Sequence, residues 1–422
     1  MKQVKNQHSH TPIFVVLTWL SLVCAACVLS AGACSSGSHP SGPISPSFFI
    51  NQGKIYVQSY TTTSNSLTVF RADNGKSLWQ ATYDGYSQPV TDNTTIYFTA
   101  RHSTESTLMA RDIQSGKERW HVSTDAIPRA VSNGILYAYA DAISAFQANN
   151  GKHLWTTVDS SAPLQVQQVK VEQELVYVVG IGGVSVLQAA DGKFLWSFSR
   201  ADFSGDFASA NGTIYLTRNS GELDAFNASN GNLLWTFSIK GLPSSPLLLT
   251  SDGILCVQTI GGSSSQDEIY GLRADDGVQL WQQSGDLSSI FSNKTPGVLY
   301  GKSVNRGIVA LSAQDGTELW HFNLDQLGGG VIDLDEKSGA LYINLGSSVA
   351  ALGTDGHLLW EVSLQTDESG YQVSSGVVYQ LIPGGSAGDS KEQHYTQADL
   401  TATLGSDRKP LWSTHFQLQP AA

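Results

Sequence analysis

Residues 71–79 read RADNGKSLW, and the phrase returns eight more times. The later copies are DIQSGKERW (112–120), QANNGKHLW (147–155), QAADGKFLW (188–196), NASNGNLLW (227–235), RADDGVQLW (273–281), SAQDGTELW (312–320), LGTDGHLLW (352–360) and LGSDRKPLW (404–412). The closing residues are Trp79, Trp120, Trp155, Trp196, Trp235, Trp281, Trp320, Trp360 and Trp412. Self-similarity at a period near 40 residues is the signature of a repeat architecture, in which each copy is one supersecondary unit. Gly stands four residues before Trp in eight copies, and Arg408 takes its place in the ninth.

Working outward from the phrase, each copy reads as strands throughout. Upstream lies a short β-branched and aromatic run such as ILYAY or VVYQL, bounded by Gly and Asn. Its recurrent aromatic is Tyr56, Tyr97, Tyr137, Tyr177, Tyr215, Tyr300, Tyr342 or Tyr379, with Cys256 at that place in the sixth copy. Between that run and the phrase sits a third strand, as in ISAFQA, VSVLQA, LDAFNA and IVALSA. The Asp/Asn-Gly pair supplies positive φ for a tight hairpin into a fourth strand beginning at Trp. Weaker runs such as SFFI, IPRAVS and QPVTD supply the first strand. Each copy is thus a four-stranded meander, A-B-C-D, that cannot cover its own two faces. Stacking radially into a β-propeller covers them. Nine copies predict an all-β propeller over 47–418 with nine blades, or with eight if the atypical ninth copy is irregular. The repeated Trp, Gly and Tyr are read as packing and turn residues, and Cys256 as a buried small substitute for Tyr.

The chain before the repeats reads as an address. Lys2 and Lys5 precede an uncharged run from Ile13 to Ala33, the order of a secretory signal. Three readings of 1–33 stand: a signal cut after Ala31-Gly32-Ala33, a lipoprotein signal whose lipidated residue is Cys34, or an uncleaved anchor, since 21 residues can span a bilayer. The lipoprotein box usually carries Leu where this chain has Ala31. Residues 34–46, rich in Ser, Gly and Pro, form the expected flexible tether. All three readings place the propeller outside the cytoplasm, and two of them on a membrane.

Composition agrees. Of 422 residues, 41% are hydrophobic but only 14% charged, against about 25% in an average soluble protein. Acids outnumber bases 36 to 24, a formal charge of −12. That balance speaks against a nucleic-acid binder, which needs a basic surface for phosphates. Of four Cys, only Cys256 lies beyond the signal and Cys34, so no intrachain disulfide is expected in a lipidated chain.

The x-Asp/Asn-Gly-Lys-x-Leu-Trp phrase after an Ala-x-Ala strand resembles the tryptophan-docking repeat of pyrroloquinoline-quinone-type propellers. That family includes quinoprotein alcohol dehydrogenases and the non-enzymatic, lipoprotein BamB-like branch of outer-membrane assembly. The resemblance covers nearly all of 47–418 and implies fold more strongly than function. For the dehydrogenase branch it implies a vicinal Cys-Cys ring and a Ca²⁺ site of Glu, Asn and Asp. This chain has no adjacent Cys pair and no C-x-x-C-H haem motif. No enzyme, no cofactor and no metal site are therefore expected. DLDEKSG (333–339) departs from a Ca²⁺ loop, with Gly one place late and Asn344 where the bidentate Glu belongs.

In a meander ring, A–B and C–D loops share one face, and B–C and D–A loops the other. The C–D loops are uniform, so length variation falls in B–C, in SYTTTSNS, RHSTES, IGGSSSQDE and PGGSAGDSKEQHY. Variable loops on a rigid scaffold are where binding sites sit. Asp84, Asp125, Asp159, Asp202, Asp286, Asp325 and Asp367 follow their Trp by four to seven residues, with Lys240 in the fifth copy. They are the candidate binding residues of that face, favouring cations or a basic partner, against the plainer reading that Asp simply favours turns. His121 and His321, directly after Trp, and His153 and His357, in turns, read as solvated. The expectation is a monomeric scaffold holding a protein or cell-envelope partner, with a small-molecule sensor as the alternative. Exposed aromatics on a flat B–C face would favour the first, and a deep channel pocket the second.

Overall fold

In the computed structural model, the described residues are 46–418 apart from 61–64, 84–87, 103–104, 158–163, 244–246, 261–266, 286, 293–295, 304, 325–329, 335–338, 366–369 and 388–393. Signal, tether and Cys34 lie outside them. The described residues form nine antiparallel sheets, each built from consecutive strands. Together they make a nine-bladed propeller. Blade 1, for example, is Ser47–Asn51, Lys54–Tyr60, Asn65–Arg71 and Ser77–Tyr83. In blade 6 the first strand is split into Leu242–Pro243 and Leu248–Leu249, both on Ile254–Ile260. Neighbouring A strands touch one another, so they form the inner wall and the D strands the rim.

Side-chain alternation explains why a meander becomes a blade. Tyr56 and Val69 sit opposite each other and face blade 2, while Ile55, Val57 and Phe70 face blade 9. Each of the nine interfaces between neighbouring blades carries one core cluster of this kind. Both faces of every B and C strand are therefore buried, as a radial stack requires.

The Trp clasps the next blade. Its indole N–H donates to a backbone carbonyl of the next C–D turn: Trp79 to Ile113 at 2.8 Å, Trp155 to Ala189 at 3.0 Å, Trp281 to Ala313 at 2.7 Å. The turn is wider than a two-residue hairpin. Arg71 N–H donates to Lys76 O and Gly75 N–H to Arg71 O, both at 2.9 Å, and strand D starts two residues before Trp. The extra residues leave the Ala72 carbonyl without a partner in its own blade, and Trp412 donates to it at 3.1 Å. The turn Gly lies under the clasping indole: a methyl group on Gly116 would stand 2.5 Å from Trp79 Cγ.

The ninth copy is regular. Arg408 adopts the turn's positive φ of 57°, and Trp360 packs on Gly405 at the position of Ala72 in blade 1. The eighth turn is one residue shorter, since Ala351 pairs Trp360 where Val69 pairs Trp79. Trp320 accordingly donates to Thr354 O at 2.8 Å. Cys256 is fully buried opposite Gly271, and the Trp281 ring lies where a Gly271 side chain would be. The missing Tyr and the missing Cβ are thus filled by one indole. Burial first, and Asp252 second, push the Cys256 thiol up to about 12, so it is inert at neutral pH.

Blades 9 and 1 close the ring without exchanging a strand. The buried Gln372 amide accepts from Ile50 N–H at 3.0 Å and donates to Phe48 O at 2.7 Å. On the opposite side of the seam, the Ser59 and Ser66 hydroxyls both donate to the Leu418 carbonyl.

Candidate functional site

Hydrogen bonds fix the two faces. Ala72 N–H donates to Gly53 O, joining the C–D and A–B loops of blade 1 on one face. Arg200 N–H donates to Gly182 O and Ile239 N–H to Gly221 O, joining D–A and B–C loops on the other.

The B–C/D–A face is uneven. In blade 9 the B and C strands run Val377–Ala387 and His394–Leu404, while pairing with strand A ends at Leu381. Six further residues, 382–387, at ~3.4 Å each carry that hairpin about 20 Å beyond its inner strand. Blades 1 and 2 follow directly around the ring, with hairpins reaching Tyr60/Asn65 and His102/Glu105. Blades 3, 4 and 5 turn at once, after Tyr139, Ile181 and Arg218. The described hairpin of blade 9 thus rises above the others on this face, beside the seam.

Blades 4 and 6 carry aliphatic groups in water on this face. Ile181 is 53% exposed, Leu242 56% and Ile260 52%. Leu242 and Ile260 are cross-strand partners at the tip of blade 6. The D–A loop of blade 5 touches both neighbouring tips, since a methyl on Gly221 would meet Ile239 O at 2.8 Å and one on Gly241 would meet Ile260 O at 2.8 Å. The described exposed large apolar groups are aliphatic rather than aromatic, and the face is stepped rather than flat.

Two of the seven candidate Asp are described, and both lie in D–A loops of this face. Asp125 is exposed. Asp202 accepts from the Ser220 hydroxyl at 2.9 Å and lies 3.7 Å from Arg200 Nε. Asp84, Asp159, Asp286, Asp325 and Asp367 lie outside the described residues. Sequence spacing missed the charged group beside Asp202. Buried Arg218 lies 2.8 Å from Asp224 Oδ2, donates to Oδ1 at 3.0 Å and reaches Glu222 at 2.7 Å. The Thr236 hydroxyl donates to Asp224 Oδ1 at 2.7 Å. The signal for this group was available: Asp224 holds a strand-C place occupied by Ser144 and Ser185 in the two preceding blades. Nearby, Tyr270 donates to Glu268 and accepts from Lys240 N–H at 3.2 Å. Burial, then Glu268, push its phenol up to about 12.

On the inner wall, Lys170 of blade 4 reaches Ser209 Oγ at 2.7 Å and Glu172 at 3.1 Å, with its ammonium 5.8 Å from the Phe207 centroid. Ser209 in turn donates to Glu172 at 2.6 Å. These groups satisfy one another.

His153, read as a turn residue, instead begins a strand. His121 and His321 are exposed and lie 2.6 and 2.7 Å from Glu118 and Glu318. His153 opens strand D of blade 3 beside Thr156 at 2.7 Å, and His357 stands 3.5 Å from Asp355. The described free thiol, Cys256, is sealed in the core of blade 6, and no group of three His, Cys, Asp or Glu among the described residues could hold a metal.

A ring of four-stranded blades joined by Trp clasps defines the class of PQQ-like repeat propellers. The chain belongs to the family described as outer membrane protein assembly factor BamB, which matches residues 36–122, 106–202, 180–304 and 304–415. Among curated proteins, the BamB of Yersinia pestis is 22% identical over 289 residues, covering 63% of this chain and 66% of that protein. The BamB of Moranella endobia is 27% identical over 181 residues, covering 38% and 45%. The chain therefore matches less than two thirds of the length of either relative. Among solved structures, BamB from Moraxella catarrhalis aligns with a TM-score of 0.45 at 15% identity, over 75% of this chain and 97% of that one. The quinohemoprotein alcohol dehydrogenase of Comamonas testosteroni aligns at 0.44 and 13%, over 72% and 70%.

Proposed function

We propose that the protein is an exported, membrane-anchored propeller that performs no chemistry and holds a protein or envelope partner on its B–C/D–A face. The uneven face carries the reading: the tall hairpin of blade 9 stands on it, and Ile181, Leu242 and Ile260 of blades 4 and 6 are about half exposed there. Covering the exposed part of these three side chains would stabilise a complex on this face, while nine further described exposed aliphatics lie along the D strands and their turns. Family membership and the assembly role named for the relatives support the same reading. So does the sequence before Ser47, with lipid on Cys34 as the anchor. Strand A of blade 1 starts on this face, so a tether over 34–46 would enter there. The seven Asp, led by the described Asp125 and Asp202, would give the face an acidic rim that draws a basic partner surface.

A photo-crosslinking residue placed at Ile181, Leu242 or Ile260 in the native envelope tests this. Discrete adducts from these sites, and none from Leu154 or Leu411 on the outer rim, are expected. Equal labelling from both sets would refute the assignment of the face. Acyl mass on Cys34 in membrane extracts tests the anchor separately.

A further inference from the structure

The face opposite the proposed docking surface holds a cleft of about 470 Å³ at the ring seam. Its walls come from the A–B turn of blade 9 (Ser374, Ser375), the A–B turn of blade 1 (Gln52, Lys54) and the C–D turn of blade 1 (Arg71, Asp73), with Tyr379 behind them. Volumes of this order hold small molecules.

The repeat shows what is unusual here. Lys54 and Arg71 are directly opposite each other on paired strands. The same cross-strand pair is Thr95–Asp112, Ile135–Gln147, Leu175–Gln188, Thr213–Asn227, Ile254–Arg273, Val298–Ser312 and Val377–Leu404 in seven other blades, and Ala340 holds the place of Lys54 in blade 8. Only blade 1 sets cation against cation, an arrangement that destabilises a sheet. Asp73 answers one of the two charges, through Arg71 Nε at 2.9 Å and Nη2 at 2.5 Å. The Lys54 ammonium makes no hydrogen bond or ion pair among the described residues. In a chain of charge −12, an unanswered ammonium beside a guanidinium lines a cleft that also offers two serine hydroxyls and the Gln52 amide.

We infer that this cleft binds a small hydroxyl-bearing organic anion, a carboxylate or phosphate, with its charge at Lys54, beside the Asp73-paired Arg71, and its hydroxyls toward Ser374 and Ser375. Because the walls belong to the first and last blades, the bound anion braces the closure of the ring, and binding stabilises the folded protein by mass action. The inference is independent of the partner proposed for the other face.

The test titrates the full chain with citrate, gluconate and inorganic phosphate, by calorimetry and by thermal melting, against sodium chloride at matched ionic strength. Saturable binding with a parallel rise in Tm is expected for at least one anion. Lys54→Ile and Lys54→Thr place residues found at this position in other blades, so the fold is retained. Both should bind about tenfold more weakly, the loss of one charge-assisted contact, and melt no lower than wild type without anion. Lys76→Ile, an exposed lysine of the same blade, should bind as wild type does. Gluconate binding alone would mark the hydroxyl wall as the selective part, whereas equal responses to all three would mark the charge pair. Either supports the site. Absence of saturable binding in the wild type, or equal losses in the Lys54 and Lys76 variants, overturns it.

Discussion

Gly116→Ala and Gly134→Ala form a matched pair that isolates the Trp clasp. Both glycines sit in turns with positive φ, 66° and 75°. An alanine in that conformation costs about 1–2 kcal/mol, offset by about 0.4–1 kcal/mol because the unfolded chain is less flexible. Around Gly134 nothing lies within 4 Å of the new methyl, so about 1 kcal/mol is the whole expected loss at that site. At Gly116 the methyl would stand 2.5, 2.7 and 2.9 Å from Cγ, Cδ2 and Cβ of Trp79. The indole cannot swing away without releasing its 2.8 Å bond to Ile113 O. Overpacking of this kind adds about 1–3 kcal/mol, so Gly116→Ala should cost about 2–4 kcal/mol in all. Urea unfolding followed by tryptophan fluorescence and circular dichroism gives both values. A red-shifted native emission in Gly116→Ala alone would report the displaced indole. If the two variants lose the same stability within about 0.5 kcal/mol, the clasp does not constrain the turn and the account of the repeat fails.

Arg408→Gly should raise stability by about 1 kcal/mol, because it removes the side-chain penalty of a φ of 57°; a lower urea midpoint would contradict this. Trp412→Ala removes the indole that joins blade 9 to Ala72 and Gly75 of blade 1, and should cost about 3–5 kcal/mol; protease cutting within blades 1 and 9 ahead of blades 4 and 5 would show the seam opening first. Stability should hold to about pH 9 and fall as pH rises beyond it. The Cys256 thiol and the Tyr177 and Tyr270 phenols are pushed up to about 12, so the unfolded chain loses its protons first; an unchanged urea midpoint at pH 11 would refute this. At the acid end, the Arg119 guanidinium holds the Asp112 carboxyl down at about 2, a contribution present above the ordinary carboxylate value and lost as pH falls from about 4 toward 2; Asp112→Asn should flatten that part of the profile.

The fold was legible because its determinants are local and repeated. One phrase encodes strand C, a positive-φ turn and the outward clasp, and nine copies multiply the signal. The blade count was open because copy nine lacks its Gly. A residue type was read where a conformation was needed, and Arg408 takes the left-handed turn without it. The Asp/Asn-Gly signal predicts a tight hairpin with strand D beginning at Trp, and does not report that the Ala72 carbonyl must stay available to a neighbouring blade. The site was less legible. Loop lengths located the face, but the Asp pattern could not show that Asp202 is engaged by Ser220 and Arg200. Nor could it show that Ile181, Leu242 and Ile260, all ordinary strand residues by type, end their strands in water. Those are properties of the assembled ring and leave no period in the chain.

A repeat supplies its own control, because each position has eight counterparts in the same packing environment. Departures from the consensus then divide by whether packing absorbs them. Cys256 and Gly271 depart together, and the Trp281 ring fills both. Thr354 replaces the neighbouring residue as acceptor because its turn is a residue shorter, and Gly405 receives Trp360 where Arg408 could not take the Gly role. Each restores a clasp or a core contact, so selection for the fold accounts for it. Lys54 opposite Arg71 restores no clasp, although Asp73 answers Arg71, and Ile181, Leu242 and Ile260 leave about half their surface in water. Local rules broken without a gain in packing are expected at functional sites. The two sets lie on opposite faces, the cation pair beside a small cleft and the aliphatic group among the B–C and D–A loops. On the readings proposed above, a small anion would bind one face and a macromolecular partner the other, and both would stabilise the ring between them.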